Sequence, residues 1–324
     1  MAASKGIATI NGVFKGKDII SLNQFSQKDL MLLFSYVPEM KKIATSQTPS
    51  KLLEGTITTL LFYEPSSRTF GSFNASVKRL GGQTVDIINP QQFSSVVKGE
   101  TLEDTVRVFE AYSNAIVIRH PEKGAAAIAA SYCKEIPVIN AGDGIGEHPT
   151  QALLDLYTLY DTFGRLDNLT GLLAGDALNS RTIHSLAAGL SLFKKTTVYI
   201  LSPDILKFPK DLLVSLRKKG LKIIEITDET DIPKTCNFWY WTRVQKERFS
   251  SVKEYEKVKS QFVVTPLLMK KYANKDMILM DPLPRVKTID TRLDRDPRSV
   301  YLRSQIRNGM YIRMALLGLV LGRL

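Results

Sequence analysis

Two cysteines, Cys133 and Cys236, are all that this chain of 324 residues holds. They stand far apart and without the spacing of metal ligands. That argues against a disulfide scaffold or a zinc site and for a reducing compartment, the cytoplasm. No apolar run reaches the roughly twenty residues that cross a bilayer. The opening stretch Met1–Lys17 lacks the apolar core of a secretory signal, so a ragged start before the first helix is expected. Low-complexity linkers and tandem repeats are also missing. The net charge of +12 is spread along the chain, with only short pairs such as Lys41-Lys42, Lys194-Lys195 and Lys218-Lys219. A nucleic-acid footprint concentrates its charge and interleaves aromatics. We therefore expect neither nucleic acid nor membrane as partner, but a solvated surface and a basic site for small anions.

What is present is ordinary for a globular enzyme: 44% hydrophobic and 23% charged residues, and length enough for two domains. The informative stretch is Ile57–Phe70. A β-rich apolar run ends at Tyr63, Pro65 stops it, and Ser66-Ser67-Arg68-Thr69 precede a segment with helical spacing. A strand, a polar turn and a helix start leave backbone N–H groups aimed at one spot, with hydroxyls and a guanidinium fork beside them. That suits a phosphate; a capped helix with a surface arginine is the plainer reading.

The rest of the chain alternates. Helical spacing over 26–43 puts Phe25, Leu30, Leu33, Phe34 and Val37 toward a core. Strands over 57–63, 84–88, 115–118 and 138–140 alternate with helices over 68–80, 102–112 and 125–133. A polar loop is predicted over 89–99 and a glycine-rich loop over 141–146. A long helix from Pro149 to Phe163 leads to a second run, with strands over 169–174, 197–201, 222–226, 238–241 and 277–280 and a last helix over 305–321. This rhythm predicts an α/β fold of two doubly wound parallel-sheet domains joined by long helices.

In such sheets ligands sit beyond the carboxyl ends of strands. The polar residues predicted there are Ser66–Thr69, Arg119-His120, His148 with Gln151, Asp176 with Arg181, Arg243 with Gln245, and Pro282–Arg285. Arginines, a histidine, amides and hydroxyls converge, without a nucleophile, a metal set or paired catalytic carboxylates. The set suits binding anions and stabilising charge on a carbonyl oxygen, not acid–base hydrolysis.

The ordered set Pro65-Ser66-Ser67-Arg68-Thr69, Arg119-His120-Pro121, Asn140-Ala141-Gly142-Asp143-Gly144, His148-Pro149-Thr150-Gln151, Thr242–Arg248 and Pro282-Leu283-Pro284-Arg285 resembles the aspartate carbamoyltransferase family, from about Gly16 onward. The resemblance implies transfer of a carbamoyl group from carbamoyl phosphate to L-aspartate in pyrimidine synthesis, with no metal or organic cofactor. It implies a carbamoyl phosphate-binding domain over 1–149, with a C-terminal helix over about 305–324 packing back on it, and an aspartate-binding domain over 150–304. It implies a homotrimer with shared sites, and a regulatory subunit or fused neighbouring domains as further partners.

By the same resemblance Ser66, Ser67, Arg68 and Thr69 hold the phosphate. Arg119 binds the phosphate or carbonyl oxygen, His148 donates to the carbonyl oxygen, and Gln151 meets the carbamoyl amide. Arg181 and Arg243 clamp the carboxylates of aspartate, with Gln245 beside them. Ser94 and Lys98 lie on a loop that enters the neighbouring subunit's site. Glu64 is a structural carboxylate organising arginines, with Arg181 and Arg248 as candidates. Plainer readings stand beside these: a salt-bridged strand end for Arg119, a helix cap for His148, surface charge for Arg243, and an ordinary loop for Lys98.

Some positions depart from the family pattern. Asp281 stands where histidine is usual, Leu178 where many members carry lysine, and Phe70 where many carry arginine; Asn179-Ser180 differ too. The enzymatic rival, ornithine carbamoyltransferase, carries a Ser-Met-Gly loop and Cys-Leu-Pro where this chain has Thr242–Gln245 and Pro282-Leu283-Pro284. Arg243 favours a carboxylate side chain on the acceptor. A non-catalytic relative with a binding or assembly role is the other alternative.

Overall fold

The computed structural model of the chain describes residues 8–245, 249, 251–258 and 261–324. The chain up to Leu154, together with Asn308–Leu324, forms one compact unit; Asp155–Arg307 forms a second. The boundaries fall inside two helices rather than in linkers.

The first unit opens with two short helices, α1 (Gln27–Ser35) and α2 (Val37–Thr45), where the spacing predicts one. Pro38 explains the break. Inside a continuous helix it would lack an N–H for the Phe34 carbonyl and its ring would clash there; in the first turn of α2 that N–H is not needed. Phe25, Leu30, Leu33, Phe34 and Val37 are all buried, as the spacing requires.

Then follow β1 (Ile57–Phe62), α3 (Ser67–Arg79), β2 (Gln83–Ile88), α4 (Pro90–Phe93), a 3-10 turn (Ser95–Lys98), α5 (Leu102–Glu110), β3 (Ala115–His120), α6 (Ala125–Tyr132), β4 (Val138–Asp143) and α7 (Pro149–Phe163). The strands form a parallel sheet in the order β2-β1-β3-β4. Two expectations are corrected. The polar stretch over 89–99 is mostly helical turns: Pro90 starts α4, and the Ser94 hydroxyl accepts the Val96 N–H and donates to the Pro90 carbonyl. Strands β3 and β4 run further than the apolar residues suggest. After a register shift, His120 pairs with Asp143, so Arg119 and His120 belong to the strand, and so does the start of the predicted glycine-rich loop.

The second unit holds β5 (Thr170–Ala174), α8 (Arg181–Leu190), β6 (Thr197–Leu201), α9 (Lys210–Lys218), β7 (Lys222–Ile226), β8 (Phe238–Trp241), α10 (Val252–Val258), α11 (Pro266–Tyr272) and β9 (Ile278–Met280). They form a parallel sheet in the order β7-β6-β5-β8-β9. Leu172, Trp239, Trp241, Leu279 and Tyr301 are fully buried in its core. The last helix, α12 (Ser304–Val320), packs from Asn308 onward into the first unit. There Arg313 donates to the Ser72 hydroxyl at 2.9 Å and lies 5.1 Å from the centre of the Phe73 ring. Among the described residues no helix is long and apolar enough to cross a membrane.

In both sheets the chain winds outward from one strand and then returns to its other side. The reversal lies between β1 and β3 in the first unit and between β5 and β8 in the second. These are the places where helices depart to opposite faces and a crevice opens. At the second reversal Gly175 has φ +111°, and a Cβ on it would stand 2.0 Å from the Thr242 carbonyl oxygen. Gly175→Ala combines a strained backbone with a backbone clash. We expect a loss of about 2–4 kcal/mol, read as a lower urea midpoint; an unchanged midpoint would refute this close approach of the two strand ends.

Candidate functional site

Each reversal point carries a cluster of polar groups. In the first unit, Ser66 precedes α3 with φ −159° and ψ 82° and makes no side-chain cap bond. The first turn of α3 contains no acidic residue. Its leading amides and the positive end of the helix dipole therefore face the same place as the Ser66 and Ser67 hydroxyls. Ser67 and Arg68 are exposed, while Thr69 is buried.

Strand β3 sets Arg119 beside this turn, since Phe62 and Arg119 are register partners and the Tyr63 N–H donates to the Arg119 carbonyl at 2.8 Å. The Arg119 guanidinium is nearly buried and meets Glu64 Oε2 at 2.6 Å; its Nη1 also donates to the Ala141 carbonyl at 3.2 Å. One partner of Glu64 is thus Arg119, a residue of the same unit. Arg248, one of the partners expected from the sequence, lies outside the described residues.

His148 is buried directly before α7, and its carbonyl accepts the N–H groups of Gln151 at 3.0 Å and Ala152 at 3.2 Å. Its backbone therefore begins the helix, and Gln151 follows one turn on. The approach to His148 is held by side chains the sequence reading did not weigh. Asp143 accepts the N–H groups of Gly124 and Glu147, and Glu147 in turn accepts the Ser21 hydroxyl at 2.6 Å. Lys98 and Ser94 follow β2, the edge strand on the far side of β1 from Arg119. Lys98 is exposed, whereas the Ser94 hydroxyl is engaged within its own turn. Phe70, one of the departures from the family pattern, packs edge-on against Phe62 with ring centres 5.4 Å apart.

In the second unit the hub is Asp176, wholly buried after β5. One carboxylate oxygen accepts the Asn179 backbone N–H at 2.9 Å and its side-chain amide at 3.0 Å. The other accepts the Gln245 N–H at 3.2 Å. Asp176 thereby joins the loop leading to Arg181, the first residue of α8, to the loop carrying Arg243 and Gln245. Sequence position placed Asp176 after a strand but gave no hint of this second partner, which is 69 residues away. Leu178 and Asn179 line a cavity of about 620 Å³ beyond the ends of β5, β6 and β7, with Ile205, Thr227, Lys257 and Phe262 among its other walls. Asp281 follows β9 and accepts the Leu283 N–H at 2.5 Å. Among the described residues no group of three or more His, Cys, Asp or Glu could hold a metal ion.

Comparison with known proteins fits these two clusters. The family models for the aspartate/ornithine carbamoyltransferase carbamoyl-P binding domain and Asp/Orn binding domain match residues 17–161 and 167–320. The chain is 45% identical to the chloroplastic aspartate carbamoyltransferase of Arabidopsis thaliana, over 95% of this chain and 78% of that protein. It is also 45% identical to the multifunctional protein pyr1-3 of Dictyostelium discoideum, spanning 95% of this chain but 14% of that longer protein. A Trypanosoma cruzi aspartate transcarbamoylase, solved in complex with carbamoyl phosphate and aspartate, superimposes with a TM-score of 0.88. That match has 39% identity and covers 97% of this chain and 99% of the other.

His120 supplies a pH test of the first cluster. Its Nδ1 accepts the Glu122 N–H at 3.1 Å and its ring lies 4.6 Å from that of Tyr63. Burial holds its pKa below the ordinary value of 6.5, although Glu122, Asp143 and Glu64 pull upward. Below pH 6.5 the unfolded chain then takes up a proton before the folded chain does, so acidification through that range costs stability. We expect the unfolding midpoint to fall as the pH drops below 6.5, and His120→Gln to flatten that part of the profile. An imidazole titrating above 6.5 by NMR would contradict the account.

Proposed function

This chain belongs to the aspartate/ornithine carbamoyltransferase family, and we propose that it is an aspartate carbamoyltransferase. It transfers the carbamoyl group of carbamoyl phosphate to the amine of L-aspartate, giving N-carbamoyl-L-aspartate and phosphate for pyrimidine biosynthesis. The observation that carries this reading is the turn Ser66–Thr69 with Arg119 at the reversal point of the first sheet. Hydroxyls, leading helix amides and two guanidiniums suit a phosphate whose negative charge grows as the mixed-anhydride C–O bond breaks.

The first unit takes carbamoyl phosphate. Ser66, Ser67, Arg68 and Thr69 hold its phosphate, and Arg119, oriented by Glu64, reaches phosphate or carbonyl oxygen. His148 donates to the carbonyl oxygen, and Gln151 meets the amide. The aspartate amine attacks the carbonyl carbon, the oxygen gains charge, and the C–O bond to phosphate breaks as the tetrahedral centre collapses, the amine's proton leaving with the phosphate. Preorganised donors on that oxygen lower the barrier. The second unit takes aspartate, with Arg181 and Arg243 on its carboxylates and Gln245 beside them. Two cations suit a dicarboxylate and repel the ammonium of ornithine. The chemistry calls for neither metal nor cofactor. The protein works as a homotrimer in the cytoplasm, with Ser94 and Lys98 serving the adjacent subunit's site. A reducing compartment suits Cys133 and Cys236, free buried thiols that burial pushes up to about 12.

Carbamoyl transfer assayed with aspartate and ornithine side by side tests the assignment. Aspartate is expected to react faster at equal concentration; faster carbamoylation of ornithine would overturn the acceptor. Within that assay Arg68→Ala is expected to lose about 100-fold or more in turnover, the scale for one preorganised donor. Near-normal turnover at saturating substrate would remove Arg68 from the transition-state site. Sharing between subunits is tested by mixing two inactive variants, Lys98→Ala and His148→Ala, under proven subunit exchange. Activity is expected to return, because some interfaces then join an intact Lys98 to an intact His148. No recovery, or a fully active monomer, would leave Lys98 acting within its own chain or at the surface.

A further inference from the structure

Behind the ends of β8 and β9, buried polar side chains of the second unit form one connected set. Asp155 on α7 is wholly buried; its Oδ2 accepts the Tyr240 hydroxyl at 2.8 Å and its Oδ1 accepts the Gln305 side-chain amide at 2.8 Å. Gln305 turns its Oε1 to the backbone N–H of Asp281 at 3.1 Å. Asp281 then accepts the Leu283 N–H. Asp281 and Gln305 are each 2% exposed.

Such a set is an expensive way to gain stability, since well-packed apolar residues of similar volume serve as well or better. What it does supply is fixed geometry at the groups it pairs. Here it reaches the backbone at the end of β9, through the N–H groups of Asp281 and Leu283, and ties that end to the Tyr240 side chain at the end of β8. Tyr240 and Met280 are register partners in neighbouring parallel strands. Arg243 lies three residues beyond one and Leu283 three beyond the other, so the two loops leave the sheet side by side. Leu283 has φ +58°, a left-handed conformation that a leucine holds only when its surroundings impose it, and the Asp281 carboxylate on its N–H is one such constraint.

We infer that Asp281 is a positioning residue for the amino-acid acceptor. Its carboxylate holds the Leu283 N–H, while Gln305, tied through Asp155 to Tyr240, holds its backbone N–H; together they fix Pro282–Pro284 beside the loop carrying Arg243, and so set acceptor affinity. The inference rests on the carbamoyl-transfer reading and adds a residue to it. It also gives the aspartate at this position, where the family usually has histidine, a function in this chain.

The test is steady-state kinetics on the full chain. Asp281→Ala is expected to raise KM for aspartate about tenfold or more, with kcat and KM for carbamoyl phosphate changed about threefold at most. Asp281→Asn keeps an acceptor for the Leu283 N–H and is expected to bring KM back to within about threefold of the unmodified chain. An unchanged KM in Asp281→Ala, or no rescue by asparagine, overturns the proposal. Should the alanine variant not fold, Tyr240→Phe removes one hydroxyl while keeping the ring. It is expected to raise KM for aspartate about threefold or more without lowering kcat equally, and an unchanged KM again overturns the proposal. An unmodified chain that carbamoylates no amino acid sinks the functional reading instead. The positioning claim then stands or falls on amide exchange. The Leu283 N–H is expected to exchange about tenfold faster in Asp281→Ala than in the unmodified and asparagine chains, and equal rates in all three overturn it.

Discussion

Burial of the central strands on both faces governs the rest of this structure. Strands β3, β4 and β8 are buried throughout, and β1 and β5 each have one half-buried residue and none exposed. A charge along their length would need full compensation. The carboxyl ends are where the strands meet loops and helix starts, and polar chemistry collects there. Within each sheet the crevice at the reversal of winding selects two neighbouring ends. One unit therefore gathers Ser66–Thr69 and Arg119, and the other gathers Asp176, Arg181 and Arg243. The charges that remain buried are compensated: Arg119 by Glu64, and Asp176 by amides of Asn179 and Gln245.

The sequence carried the strands well because each is a short apolar run closed by turn residues. The runs 197–201, 222–226 and 238–241 are observed with those bounds. The break at Tyr36 was hidden because α1 and α2 bury residues at one common spacing, so periodicity alone reads straight through Pro38. The stretch 89–99 looks like a loop because its helical turns rest on Pro90 and the Ser94 hydroxyl rather than on an apolar face. Arg119 and His120 read as residues beyond β3 for the opposite reason: polar side chains at the end of a buried strand look like loop residues.

Long-range polar partners were the least legible part. Glu64 pairs with Arg119 because parallel register brings the end of β1 against the end of β3, and no local pattern encodes that choice. The Asp155–Gln305 bond spans 150 residues and joins two helices in which each polar residue looks like an ordinary interruption of an apolar face. The residues proposed to contact small anions belong to recognisable strings. Those that hold the strings in place, Asp143, Glu147, Asp155, Asp176 and Gln305, are scattered singly along the chain.

The first unit is discontinuous, closed by α12 only after Asp155–Arg307 has been traversed. Its last element brings Arg313 to Ser72, the Met310 carbonyl to the Ser76 hydroxyl, and the Val320 carbonyl to the Gly16 N–H. During synthesis the second unit, although later in the sequence, is the first whose residues have all left the ribosome. The first unit must wait with the ground beneath α12 uncovered: Phe73 without its guanidinium neighbour, and α3 without its partner helix. A chain cut just after Arg307 thus holds every residue of its inserted half while its framing half stays open, the kind of exposed apolar face that chaperones bind.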